Sequence, residues 1–310
     1  MIRLLLPLLL IALSSTSGRP QEPGLRGAGR IFIDFVAADK AGAPVMDLKP
    51  DEVEVWIGHF RVPTESFTVV TPSADPGAGR LTILVLDDVT LALQQLGRAK
   101  DVARRFVNRM QPGDQMAIVN LDGSAMETTN DPTRLLRTID AYSPRGTGLI
   151  PIDRVGEHVL KTLGILSRQM VEAGGQRKTI VAIGSGWVFD RPIPPPLAGM
   201  DPRKEWIQAM QAMAVSNVSL YVIDPNGIGG ARQVDGGANG FARETGGFAF
   251  IATNDLNGAA DRIMREAANY YLLGVADPPV GRGADLREVD VKVLRKGVTI
   301  RARKTITGGT

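Results

Sequence analysis

Between about residues 80 and 269, short apolar runs alternate with segments of helical period, and no other feature narrows the possible folds as far. The apolar runs are Leu81 to Leu86, Met116 to Leu121, Thr179 to Ile183 and Ser219 to Ile223, with a shorter one at Phe248 to Ile251. Short apolar stretches of this kind read as strands buried on both faces. The first helix is the clearest: Ala99, Val102, Ala103, Phe106, Val107 and Met110 recur at helical spacing until Pro112-Gly113 stops the run. Further helices are expected at about 132–141, 152–173, 203–215, 236–245 and 255–269. Buried strands alternating with helices mark a mostly parallel sheet with crossover helices on both faces. The expected class is therefore α/β, doubly wound, over residues 80–269.

The flanks have a different period. Ile31 to Val36 is mostly apolar, Glu52 to Ile57 alternates so that Val53, Val55 and Ile57 share one face, and Phe67 to Val70 closes this N-terminal β segment, 30–79. In the C-terminal β segment, 270–306, Tyr270 to Val275, Glu288 to Val293 and Val298 to Ala302 repeat the pattern, with Arg295-Lys-Gly297 expected as a hairpin turn. Neither group is large enough to be comfortable alone, so the two are expected to pair into one small β module, two separate sheets being the alternative. The Arg and Lys residues of 287–304 alternate with apolar ones, which reads as the solvent face of an edge sheet rather than a nucleic-acid surface. A net charge of +3, from 36 basic and 33 acidic residues, is too small and too scattered to argue for nucleic acid.

Residues 1–18 read as a signal peptide: Met1-Ile-Arg3 is the positive end, Leu4 to Leu13 the apolar core and Ser14 to Gly18 a small-residue cleavage region. Residues 19–29 are a linker by composition. The apolar core is too short to span a bilayer comfortably, so an exported protein in the periplasm or outside the cell is expected, with no stable membrane insertion after cleavage, an uncleaved anchor being the alternative. With 44% apolar residues a large core is available. The chain has no Cys, so neither disulfides nor thiolate metal sites can contribute to stability.

The strand Leu81 to Leu86 runs straight into Asp87-Asp88-Val89-Thr90, placing two carboxylates and a hydroxyl where ligands bind in open parallel sheets. Hard cations prefer such oxygens. That strand end, Arg145-Gly-Thr-Gly-Leu149 before a helix and Lys178-Thr-Ile-Val-Ala-Ile-Gly-Ser-Gly186 together resemble a von Willebrand factor type A (VWFA) domain. Tyr221-Val-Ile-Asp-Pro225, Glu244-Thr-Gly-Gly247, Asn254-Asp-Leu-Asn257, Tyr270-Tyr-Leu-Leu-Gly274 and Val298 to Arg303 extend the likeness to the exported VWFA-related proteins abundant in Acidobacteria.

The resemblance implies a metal-ion-dependent adhesion site, in which Asp-x-Ser-x-Ser from one loop, a Thr from a second and an Asp from a third hold a divalent cation that a partner's carboxylate completes. Matched residue by residue, the pattern is degenerate. Counting from Asp87, the hydroxyl positions are Val89 and Leu91; counting from Asp88, they are Thr90 and Ala92, so one hydroxyl survives. Thr147 fits the second loop, and Ser185 stands where the third-loop Asp is expected. The candidate metal ligands are thus Asp87, Asp88, Thr90, Thr147 and Ser185, for Mg²⁺ or Mn²⁺ if a cation binds at all. In the bland alternative, Asp87 or Asp88 bonds loop amides or caps the next helix, and Ser185 merely ends a strand.

Other constellations point to structure or to binding rather than to catalysis. Arg191-Pro-Ile-Pro-Pro-Pro-Leu-Ala-Gly199 is either a partner-binding edge or a semi-rigid connector. Asp224-Pro-Asn-Gly227 has ordinary turn chemistry, and Gly227 to Gly230 and Asp235 to Gly240 lack the Lys-Ser/Thr of a P-loop. His59 and His158, the only histidines, sit beside no nucleophile-and-base pattern. The expectation is a non-enzymatic protein-binding or adhesion module whose partner is another protein of the cell envelope or outside the cell. The alternatives are a structural or assembly subunit of an envelope complex that binds through its β module, and a cation-dependent phosphohydrolase using Asp87 or Asp88 as nucleophile.

Overall fold

A computed structural model describes residues 30–72, 79–121, 126–145, 150, 154–172, 177–185, 202–228, 237–277 and 286–307. The segments expected to be a signal peptide (1–18) and a linker (19–29), together with Thr147 and the proline-rich segment 191–199, lie outside the described residues. In chain order the elements are β1 (Arg30–Ala38), β2 (Val53–Ile57), β3 (Phe60–Val62), β4 (Thr64–Val70), β5 (Leu81–Leu86), α1 (Leu96–Val107), β6 (Gln115–Asn120), α2 (Pro132–Ala141), α3 (Val155–Gln169), β7 (Lys178–Ile183), α4 (Pro202–Val215), β8 (Val218–Ile223), α5 (Gly237–Glu244), β9 (Ala249–Phe250), α6 (Leu256–Ala268), β10 (Tyr270–Ala276), β11 (Leu286–Val293), β12 (Thr299–Ala302) and β13 (Thr305–Thr307).

Five strands, β6-β5-β7-β8-β9, form an all-parallel sheet. Side chains alternate across it: Ile83 and Val85 pack with α3, α4 and α5 on one face, and Leu84 and Leu86 with α1, α2 and α6 on the other. Burial on both faces explains why these strands are apolar throughout; every residue of β7 and β8 is buried. The helices carry local start signals. Asp131 Oδ1 accepts the Thr133 amide at 2.8 Å to open α2, and Asp255 Oδ1 accepts the Gly258 amide at 2.8 Å to open α6. No helix of the described residues is long and apolar enough to cross a membrane.

The flanking strands build two antiparallel sheets, β12-β1-β10-β4 and β13-β11-β2-β3. Each mixes strands from both flanks: β1 pairs with β10 and β12, and β2 with β11. Their inner faces share one core, in which Ile33, Phe35 and Leu273 meet Val55, Ile57 and Val289. One sheet alone would leave that face wet; two four-stranded sheets close it.

Two expectations fail here. Arg295-Lys-Gly297 does not close a hairpin, because β11 and β12 belong to different sheets and this segment carries the chain from one to the other, with Gly297 at φ +81°. Nor is the cationic face of 287–304 uniformly solvated. Arg303 is only 2% exposed, because the edge at β12 is covered by the α5–β9 connection: Thr245 bridges Arg303, and the Lys304 amide donates to Glu244 O at 2.9 Å. Covering an edge strand in this way satisfies its backbone groups and removes a free pairing edge.

That cover is part of a buried polar seam between the parallel-sheet core and the β sandwich. Asp34 of β1 pairs with Arg177, which precedes β7, and lies 3.6 Å from Arg303 Nε; all three are buried. Arg177 also donates to the Tyr221 hydroxyl at 3.0 Å and to Gly246 O at 3.1 Å, while Arg303 donates to Asn217 Oδ1 at 3.0 Å. The Tyr221 hydroxyl in turn donates to Glu266 Oε2 at 3.2 Å.

Candidate functional site at the sheet switch point

The sheet order places the first strand of the core, β5, between β6 and β7, so the chain winds in opposite directions on the two sides of β5. The crevice outside the carboxyl ends of β5 and β7 is the topological switch point, the usual ligand location in open parallel sheets. Asp87 follows β5 there and Gly184-Ser185 follow β7, joined by the Asp87 amide donating to Ile183 O at 3.0 Å.

The chain turns sharply after β5, and Asp87 organises the turn. Its Oδ1 accepts the amides of Val89 at 3.1 Å and Thr90 at 2.7 Å, and its Oδ2 meets the Thr90 hydroxyl. That hydroxyl also meets the Ser185 carbonyl. Asp87 is fully buried, and Gly184 has no Cβ where one would collide with the Asp87 side chain. Tyr142, at the end of α2, donates its hydroxyl to Asp87 O at 2.7 Å. Burial first, then the charges of Asp87 and Asp88, raises the Tyr142 phenol above its ordinary value, so it stays a protonated donor.

Asp88 points elsewhere. Its Oδ2 accepts Arg145 Nε at 2.8 Å and Nη2 at 2.6 Å, and its carbonyl accepts the Arg145 amide at 2.7 Å. The Asp88 side chain is 0% exposed whereas Arg145 is 44% exposed, so the pair runs from the interior to the rim. Asp88 Oδ1 has no hydrogen-bond partner among the described residues. On the neighbouring strand end, Asp224 Oδ1 accepts the Asn226 amide at 2.9 Å, and burial raises its carboxyl above the usual range.

The structure thus gathers Asp87, Thr90 and the backbone of Ser185, and turns Asp88 away to a guanidinium. Thr147 lies outside the described residues. Mg²⁺ requires near-octahedral oxygen coordination with enough negative charge to offset dehydration. Only one carboxylate faces the cluster; one of its oxygens is committed to two amides, and a fixed cation already neutralises its neighbour. The described donors do not by themselves make up a divalent-ion site, and among the described residues no group of three or more His, Asp or Glu side chains converges on one. His158 accounts for itself structurally, its Nε2 lying 2.8 Å from Leu121 O beside the Thr162 hydroxyl.

Arg145 was legible only as the first residue of a loop motif. The signal that could have exposed its role is electrostatic: a buried second aspartate without a metal needs a resident cation. Compared with protein-family models and with curated protein sequences, the chain matches none.

Proposed function

We propose that the chain is an exported, non-enzymatic protein-binding module with a VWFA-like α/β domain and a degenerate metal-ion-dependent adhesion site, contacting its partner through the strand-end rim. The observation that carries this reading is the Asp88–Arg145 pair at the switch point. Where the resemblance implies a cation to be met by a partner's carboxylate, this chain holds a guanidinium anchored on a buried aspartate. A half-exposed guanidinium of fixed orientation recognises carboxylates with directional hydrogen bonds and needs no metal. The phosphohydrolase alternative draws no support from the geometry, since Asp87 is enclosed behind its own turn and Asp88 is held by Arg145.

Photo-crosslinking in the native host tests the reading, with the reactive side chain placed at Thr90 on the rim or at Phe60 on the β module. A discrete adduct from the rim position, unchanged by chelator and lost on Arg145→Glu, is expected. Adducts from Phe60 alone would favour a structural subunit that binds through its β module. Adducts that vanish with EDTA and return with Mg²⁺ would restore a metal-dependent site.

A further inference from the structure

A second site lies away from the rim, where α5 hands over to β9 and both meet β12. A pocket of about 510 Å³ opens there, and its charged lining is entirely basic: Arg243 from α5, Arg262 from α6, Arg301 from β12 and Lys304 from the connection between β12 and β13. We propose that this pocket is an anion site for a phosphate group, free or carried as a monoester.

Three observations support it. The first is charge. Glu266, behind the wall, accepts Arg262 Nε at 2.9 Å and also holds Arg301, and Asp290 takes Lys304 at 2.9 Å. Two carboxylates therefore offset four cations, and Arg243 pairs with no carboxylate among the described residues. The neighbouring Glu244 is not part of this lining, and its carboxylate accepts the Thr305 hydroxyl at 2.5 Å. The second is preorganisation. The Arg262 and Arg301 guanidinium carbons lie 4.4 and 4.8 Å from the centre of the Phe248 ring, and sharing Glu266 fixes them further. Guanidinium groups held in place lose little entropy on meeting a tetrahedral oxyanion, and their forked N–H groups match it two at a time. The third is an unused donor: Arg301 Nε is buried with no hydrogen-bond partner among the described residues.

A dianion matches the excess of two positive charges better than a carboxylate does. The volume exceeds what a bare phosphate fills and leaves room for a body of sugar size. Asn239, whose Oδ1 accepts the Ala249 amide at 3.5 Å, also lines the pocket, and its amide N–H groups are the donors it could offer to hydroxyl groups of that body.

The test uses the full chain and calorimetric titration at matched ionic strength with inorganic phosphate, glucose 1-phosphate and, separately, vesicles carrying phosphatidic acid in phosphatidylcholine. Chloride and plain phosphatidylcholine vesicles serve as blanks, which separates binding from screening. Binding in at least one phosphate arm is expected, and the arm that binds tightest identifies a free ion, a soluble ester or a lipid headgroup as the source. Arg243→Glu should weaken it by about tenfold or more, the scale of one charge-assisted hydrogen bond. Arg243 is an exposed helix residue, so this variant should fold, and Lys304→Gln gives a second, independent loss. Arg265→Glu, on the exposed side of α6 and outside the pocket, should bind as the parent does. No heat in any phosphate arm, or equal binding by the parent, Arg243→Glu and Lys304→Gln, would overturn the proposal.

Discussion

Replacing Asp34 by alanine should cost this protein more than any other single polar substitution. Asp34 is 1% exposed, it is the carboxylate paired with Arg177, and it is the nearest anion to Arg303. Both guanidinium groups are buried, so neither can turn to water when the carboxylate goes. Removing one partner of a buried ion pair typically costs about 3 to 5 kcal/mol, because the remaining charge keeps its desolvation penalty. Against a typical total of about 5 to 15 kcal/mol, that is a large fraction. At a urea slope of about 2 to 3 kcal/mol per molar, the midpoint should fall by about 1 to 2.5 M. Asp34 belongs to the sandwich and Arg177 to the parallel-sheet core, so the loss should also uncouple them. Variants with Trp56 or Trp206 as the sole tryptophan report on the two parts separately, and their transitions should part in Asp34→Ala while coinciding in the parent. Converting the pair to apolar residues, Asp34→Leu with Arg177→Met, should recover part of the loss, with Arg303 still uncompensated. A cost below about 1 kcal/mol with coincident transitions would refute the claim that this carboxylate carries the seam.

Three further outcomes can be checked alongside. Lys178 is buried at the seam, donating to Ser216 O at 3.1 Å, and burial followed by the charge of Arg303 lowers its ammonium from 10.5 to about 8. Between those values the unfolded chain holds a proton that the folded chain has lost, so stability should rise with pH from about 8 towards 10; urea midpoints of Lys178→Met against the parent should show a flatter dependence across that window. Gly184→Ala should destabilise by about 1 to 3 kcal/mol through collision with Asp87, and a thermal melt unchanged from the parent would show that the turn has more room than its packing indicates. Arg145→Ala should cost about 1 to 2 kcal/mol, less than a buried pair because water reaches the arginine but more than a surface pair because Asp88 stays buried, as read by denaturant midpoints against Arg104→Ala on an exposed pair.

The parallel-sheet core was legible in sequence because its signals are local and redundant. Each strand is apolar on both faces, each helix has its own period, and Asp131 and Asp255 mark helix starts within a few residues. The sandwich was legible only in part, since a two-residue period says which side chains share a face and nothing about which strand lies alongside. Val298 to Ala302 shows the difference: its alternation is genuine, yet the strand pairs with β1 rather than with its sequence neighbour β11. β3 and β13, three residues each, are too short to show a period at all. At the candidate site, adjacency in sequence gave Asp87 and Asp88 equal claims to one role. Only the fold separates them, sending one carboxylate into its own turn and the other to Arg145.

The same failing of local pattern hid the seam, and the reason bears on how the molecule works. Arg177 and Arg303 are the residue type that sequence reading assigns to solvent by default, because burying an isolated charge is costly. They are buried because Asp34, Tyr221, Gly246 and Asn217 supply partners from strands and turns far apart in the chain. Seam and basic pocket share residues at two points: Glu266 receives the Tyr221 hydroxyl on one oxygen and holds Arg262 and Arg301 on the other, and Gly246 both accepts from Arg177 and lines the pocket. An anion bound by Arg262 and Arg301 would compete for the same guanidinium groups that now hold Glu266. Any resulting shift of that carboxylate acts directly on Tyr221 and, through it, on Arg177. Occupancy of the pocket would therefore be linked to cohesion between the two parts of the molecule by a short chain of hydrogen bonds, and linkage of this kind is reciprocal. If the pocket takes its phosphate, the separation of the Trp56 and Trp206 transitions in Asp34→Ala should change when ligand is added, and should stay fixed in the same variant carrying Arg243→Glu.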